Sequence, residues 1–193
     1  EATRFGLLMG EITADAALQA TRDWVEHAVI GLNLCPFAKA VEVKALLHYA
    51  CSEARDTGTL LADLRAELQR LADTPIEQLE TTLLVHPWVL QDFLDYNDFL
   101  DEADTLLAEM GLDGTLQIAS FHPQYQFAGT RADDVENATN QSPYPTLHLL
   151  REASIERAVA AYPEAEAIYE ANTRRLRALG PTGWAALRAH WQR

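Results

Sequence analysis

The chain has 193 residues, 48% of them hydrophobic, and this composition excludes a disordered protein. A chain of this length suits one domain with a substantial core, so we predict a single domain over residues 1–193, with residues 1–12 flexible. Fifteen basic side chains against twenty-nine acidic ones give a net charge of −14, which argues against nucleic acid and anionic membrane surfaces as partners.

Apolar spacing along the chain predicts alternating helices and strands. Repeats at three and four residues indicate helices, with Thr13 or Asp15 as the first N-cap, and alternating or β-branched runs indicate strands. The predicted strands are 41–50, 80–87 and 115–122, and the predicted helices are 13–34, 60–71, 90–110, 143–159, 164–179 and 182–191.

This order of elements is typical of an α/β fold. We expect a small, mainly parallel sheet of three strands or slightly more, covered by helices, with helix-rich N- and C-terminal ends. A ferredoxin-like α+β arrangement with an antiparallel pair is the alternative, because the sequence alone does not fix strand direction.

Two of the predicted strands end in the same dipeptide, His86-Pro87 and His122-Pro123. If the strands are parallel, both histidines and His48 lie near their C-terminal ends, where open α/β sheets place ligand sites. Alternatively, proline only terminates each strand, and an imidazole is easily hydrogen-bonded at such an end. The sequence leaves both interpretations open.

Residues 123–145 have no apolar period, and a loop of this length is uncommon inside a compact domain. The aromatic residues Tyr125, Phe127 and Tyr144 are not typical of a solvated linker. We therefore predict an ordered loop that folds over the site, in which Asn137 and Asn140 supply hydrogen bonds to a substrate.

Four side chains are candidate metal ligands: His86, His122, Cys35 and His148. Cys35 ends a predicted helix, where the dipole raises a thiol pKa, so a buried thiol or a ligand role is favoured over a free nucleophile. His148 precedes Glu152 by four residues in a predicted helix, a spacing that suits one cation or an ordinary surface pair. Cys35 and Cys51 are interpreted as reduced thiols.

Motifs for nucleotide cofactors and for several enzyme classes are missing from the sequence. It contains no glycine-rich phosphate loop, HExxH, CxxC or GxSxG string. With no basic and apolar leader, we expect a cytoplasmic protein, or one of a plastid or other organelle if a presequence has been removed.

Five blocks, GLNLCPFAK, TTLLVHP, DFLDYNDFLDEAD, IASFHPQYQFAGT and DDVENATNQSPYPTLHLLRE, resemble a bacterial and plastid family. That family is catalogued as domain of unknown function fourteen-fifteen, and the resemblance runs from about Ala17 to Leu179. It implies that the blocks around Cys35, His86 and His122 belong to a site, together with Ser142, Tyr144, His148 and Arg151. The family pattern carries Arg where this chain has Gln141; if that Arg binds an anionic substrate group, this chain differs in substrate or is impaired.

These observations predict an enzyme that acts on a small molecule at a His/Cys site under the 123–145 loop. Metal- or haem-dependent redox chemistry is the first expectation, because imidazole and thiolate ligands suit a transition metal or haem iron. Metal-free acid–base or thiol chemistry, or a non-catalytic binding or assembly protein, are the alternatives. The expected catalytic residues are His122, His86 and Cys35, and the expected substrate-binding residues are Tyr125, Asn137, Asn140, Tyr144 and Arg151.

Overall fold

The structure is a computed structural model that describes residues 11–162, 164 and 167–192. The flexibility predicted for residues 1–12 falls mainly on residues 1–10, which lie outside that part. The α-helices are α1 (Ala14–Trp24), α2 (Ala38–Val43), α3 (Thr57–Asp73), α4 (Phe93–Glu109), α5 (Glu152–Ala161) and α6 (Ile168–Arg188). The strands are β1 (Leu47–Cys51), β2 (Thr81–Val85), β3 (Leu116–Phe121) and β4 (Thr146–Arg151). The structure also has a π-helix (Val25–Ile30) and a 3-10 helix (Val135–Asn140).

The four strands form one sheet in the order β1-β2-β4-β3. β1 and β2 are parallel, and β4 is antiparallel to both of its neighbours. The three predicted strands therefore run in one direction, and β4 is inserted between two of them in the other. The α/β class is confirmed, and the sheet is mixed rather than mainly parallel.

The largest error in the predicted elements concerns the segment that forms β4. A helix was expected over 143–159, but Thr146–Arg151 is the strand β4. Leu147 and Leu149 are fully buried and alternate with His148, which is the period of two that a strand requires. Pairing on both sides of β4 decides the conformation, because it satisfies the backbone of a segment with ambiguous spacing.

The N-terminal elements also differ from their predicted bounds. The helix expected over 13–34 is α1 followed by the π-helix, and the strand expected over 41–50 begins only at Leu47 because α2 precedes it. Thr13 caps α1, since its hydroxyl accepts the backbone N–H of Ala16 at 3.1 Å. The last two predicted helices correspond to α6, which is bent at Gly180 (φ 70°, ψ 173°).

Two hydrophobic layers cover the sheet. Leucines of α3 and residues of α4 pack on the face that carries Leu84, which we call the α3/α4 face. Trp24 of α1 and Leu176 of α6 pack on the opposite face, which carries Leu83 and which we call the α1/α6 face. Because neighbouring strand residues point to opposite faces, each histidine is assigned to one layer. Among the described residues no helix is long and apolar enough to cross a membrane.

Candidate functional site

The two His-Pro strand ends meet on the α3/α4 face. His86 follows β2, His122 follows β3, and both are fully buried. Both imidazoles pack against the ring of Tyr96 of α4, with centroid distances of 5.8 Å for His86 and 5.0 Å for His122. His48 does not join them, since it lies on the edge strand β1 with Nε2 at 3.5 Å from the carboxylate of Glu67.

His122 uses both of its ring nitrogens in hydrogen bonds to the backbone. Nε2–H donates to the carbonyl oxygen of Leu90 at 3.0 Å, and Nδ1 accepts the backbone N–H of Gln124 at 3.0 Å. A carbonyl can only accept and an N–H can only donate, so this pattern fixes the neutral Nε2–H tautomer. Neither nitrogen is free to bind a metal ion or to take up a proton.

His86 has the opposite tautomer and leaves one nitrogen free. Its Nδ1–H donates to the carbonyl oxygen of Val89 at 3.1 Å, which makes Nε2 the unprotonated nitrogen. Nε2 is buried and has no hydrogen-bond partner among the described residues. Burial lowers the pKa of His86 to about 4, so the imidazole is neutral at pH 7. The lone pair of Nε2 accepts no hydrogen bond from the described residues.

Both accepting carbonyls belong to the connection of residues 87–91, which we call the His-Pro loop. Within it Leu90 has a φ of 60°, a left-handed conformation that costs a non-glycine residue about 1–2 kcal/mol. Val89 is buried and Leu90 is half-buried. Two histidines thus hold a strained loop over the sheet end, and strain of this kind is concentrated at active sites and switch regions.

Tyr96 ties the site to the sheet, although the sequence did not single it out. Its hydroxyl donates to the carbonyl oxygen of Thr146 at 2.8 Å and accepts the backbone N–H of Phe121 at 3.1 Å. These two residues are paired across β3 and β4. The hydroxyl therefore bridges backbone groups at the end of the ladder, directly below the imidazoles.

Aromatic rings continue from the histidines toward the surface. Phe93 packs on His122 with centroids 5.4 Å apart, and Tyr125 packs on Phe93 at 5.3 Å. Phe127 follows, 5.0 Å from Tyr125. Tyr125, one of the predicted substrate-binding residues, therefore lies at the outer edge of the site.

The two predicted amide residues hold the 123–145 loop rather than face the histidines. Asn137 accepts from the Phe127 N–H and the Thr130 hydroxyl and donates to the Arg131 carbonyl, at 2.7–3.0 Å. Its polar atoms are therefore occupied within the loop. The side chain of Asn140 donates to the carbonyl oxygen of Ser120 at 3.1 Å.

Gln141, where the resembled family carries Arg, also has a structural contact. Its side-chain amide donates to the carbonyl oxygen of Tyr125 at 3.2 Å, so it joins the two ends of the loop. The 3-10 helix of the same loop packs mainly on the α1/α6 face through Val135 and Ala138.

Two other predicted residues, His148 and Tyr144, lie on the α1/α6 face, and Cys35 follows a residue of that layer. His148 donates from Nε2 to the Thr81 hydroxyl at 2.8 Å, because that hydroxyl itself donates to the carbonyl of Leu149. Tyr144 packs in the same layer as Trp24, as does Leu34, which precedes Cys35. The helix-surface pairing of His148 with Glu152 is wrong, because His148 belongs to β4.

Arg151 lies at the far end of the sheet. It pairs with Leu116, the first residue of β3, and is therefore about 20 Å from His122 at a strand rise of about 3.3 Å per residue. Its guanidinium donates to the carbonyls of Leu79 and Thr74 at 2.6–2.7 Å, which stabilises the connection from α3 to β2.

The predicted set of metal ligands is therefore not assembled at one point. His86 and His122 share a face, the nitrogens of His122 are occupied, and His148 lies across the sheet, in the layer that also contains Leu34 next to Cys35. Among the described residues no group of three or more His, Cys, Asp or Glu side chains is placed to hold a metal ion. Because both nitrogens of His122 are hydrogen-bonded to the backbone, His122 has none left to activate the Cys35 thiol.

Because His86 and His148 are neutral in the folded protein, we expect the protein to lose stability in mild acid. Burial lowers the pKa of His86 and of His148 from 6.5 to about 4, so the unfolded chain binds protons that the folded chain does not. The stability is fully present above pH 6.5 and falls as the pH approaches 4, by up to about 3 kcal/mol for each histidine. Urea unfolding at several pH values measures this slope.

His148→Gln is the matched variant for this pH dependence. Glutamine keeps an N–H donor for the hydroxyl of Thr81 and does not titrate, so the free energy of unfolding should fall by about half as much between pH 6.5 and 4. An unchanged slope would show that His148 is charged or exposed in the folded protein.

Comparison with known proteins places the chain in one family. A model of the family described as "Protein of unknown function (DUF1415)" matches residues 16–186. The resemblance drawn from the five sequence blocks is thereby confirmed. No curated protein and no solved structure matches the chain.

Proposed function

The chain belongs to this family of proteins of unknown function, DUF1415, and we propose that it is an enzyme that moves a proton on a small molecule, with His86 as the base. The unpartnered Nε2 of His86 is the observation that carries the proposal. A buried polar atom without a partner costs about 1–3 kcal/mol, and a fold tolerates that cost where the atom has a use.

The geometry around His86 suits a base. The bond from Nδ1–H to Val89 fixes the tautomer and the ring orientation, as a second group does for catalytic histidines in general. Nε2 would take a proton from a substrate C–H or from a water molecule, forming an imidazolium, and return it in a later step. The carbonyl of Val89 stabilises that imidazolium through the same hydrogen bond.

We infer that access to Nε2 requires the Leu90 end of the His-Pro loop to move, while Val89 keeps its hydrogen bond to Nδ1. The site is closed in this structure, since His86 has no exposed surface. The strain at Leu90 lowers the cost of opening, and the hydrogen bond from His122 sets how firmly the loop is held. His122 is in this account a positioning residue, and His86 is the catalytic one.

His86→Asn tests the base directly. The asparagine side chain places an N–H donor near the position of Nδ1 and has no basic nitrogen, so the fold should persist while proton transfer falls by about 100-fold or more. Small ketones, aldehydes and 2-oxo acids in heavy water, followed by proton NMR, report C–H exchange, and p-nitrophenyl acetate reports attack by water.

His190→Asn is the control, because His190 is exposed and lies outside the site. It should exchange and hydrolyse at the wild-type rate. Equal rates in the wild type and in His86→Asn would exclude His86 as the base, and no turnover of any compound by the wild type would count against a proton-transfer enzyme.

A further inference from the structure

The outer surface between α3 and α4 contains a groove of about 550 Å³. Leu61 of α3 and Leu106 of α4 line its apolar part, and Asp101, Glu102 and Glu109 of α4 line its acidic wall. The groove lies on the solvent side of the two helices, away from the sheet that carries His86. It is separate from the candidate site.

The α4 wall has an unusual charge distribution. From Asp92 to Asp113 the chain contains eight carboxylates and no Lys, Arg or His, and those on α4 itself are all exposed. None of them forms an ion pair within the part of the chain that the structure describes. Like charges three or four residues apart on a helix destabilise it.

The repulsion contributes to a raised pKa at Asp104. Partial burial and the carboxylates of Asp101 and Asp113 raise its pKa above the ordinary range. A cationic group placed along this wall would offset the repulsion, and the apolar groove beside it would bury the hydrophobic side of the same ligand.

We propose that the α3/α4 groove is a docking site for a cationic amphipathic helix of another protein, with apolar residues in the groove and Lys or Arg against the α4 carboxylates. A helix laid in a hydrophobic groove is a common mode of peptide recognition. A second copy of this chain does not suit the groove, because it too has a net charge of −14 and the acidic wall would repel it.

Arg65 defines how the bound helix is oriented. It is exposed on the α3 wall and lines the groove opposite the carboxylates. A bound helix therefore carries its cations on the edge that faces α4, and neutral or acidic residues on the edge that faces α3. This asymmetry distinguishes specific docking from general attraction of a cation to an acidic protein.

The test uses a fluorescein-labelled amphipathic peptide composed of leucine and lysine, with a leucine and glutamate peptide as its counterpart. Fluorescence anisotropy should show salt-sensitive binding of the lysine peptide alone. Asp101→Asn, Glu102→Gln and Glu109→Gln together should weaken it about tenfold. Ala62→Trp, which fills the groove without a charge change, should weaken it by a similar factor.

The matched control removes three exposed carboxylates from other elements, by Glu26→Gln, Glu53→Gln and Glu156→Gln. This variant has the same net charge as the groove variant and should bind as the wild type does. Equal weakening in both triple variants, or full binding by Ala62→Trp, would overturn the proposal and leave only non-specific attraction.

Discussion

Replacing Tyr96 with phenylalanine should destabilise the protein by about 3 kcal/mol, although the substitution removes a single oxygen. That oxygen bridges the Phe121 N–H and the Thr146 carbonyl at the end of β3 and β4. Without it two backbone groups next to the buried cluster lose their partner, and each such group costs about 1–3 kcal/mol. Burial also raises the pKa of Tyr96, so the hydroxyl remains protonated and able to donate.

Thermal unfolding measures this effect, and the midpoint should fall by about 6–12 °C. Tyr169→Phe is the control, since Tyr169 is 47% exposed, and it should change the midpoint very little. A midpoint within error of the wild type for Tyr96→Phe would mean that water or a shift of the strands replaces the bridge.

His122 should be the second residue whose loss has a large effect, and two variants separate its two hydrogen bonds. His122→Leu removes both and should cost about 2–3 kcal/mol. His122→Asn keeps an oxygen that can accept the N–H of Gln124 in an Asx turn and loses only the bond to Leu90, so it should cost about half as much.

The two variants should share one other property. Both release the carbonyl of Leu90, so the His-Pro loop should open more often in each of them. Hydrogen exchange measured by mass spectrometry should be faster across residues 86–92 in both variants, and unchanged across α3. Slow exchange of the loop in His122→Leu would show that the bond from His122 does not hold it.

The meeting of the two histidines could be predicted because strand ends are readable in a sequence. The His-Pro pairs mark the ends of β2 and β3, and the common direction of these strands brings His86 and His122 together. The difference in hydrogen bonding between the two was not predictable, because it depends on which carbonyl each nitrogen reaches. Leu90 and Val89 supply those carbonyls from a loop whose path no periodicity encodes.

β4 explains why the remaining candidates were grouped wrongly. The string PTLHLLRE suits a helix by its leucine spacing, and only its place between β2 and β3 makes it a strand. As a strand it turns His148 toward the α1/α6 face and carries Arg151 to the far end of the sheet. Long-range pairing of this kind overrides local propensity and is not visible in the sequence.

The state of the two imidazoles tests the central claim most directly. Nitrogen-15 NMR of the histidine side chains at pH 7 should show two neutral rings of opposite tautomer, with the proton on Nδ1 in His86 and on Nε2 in His122. His86→Asn and His122→Asn assign the signals. An unprotonated Nε2 in His86 that stays unprotonated down to about pH 5 agrees with its lowered pKa. A proton on Nε2, or a charged ring at pH 7, would contradict the assignment of His86 as the base.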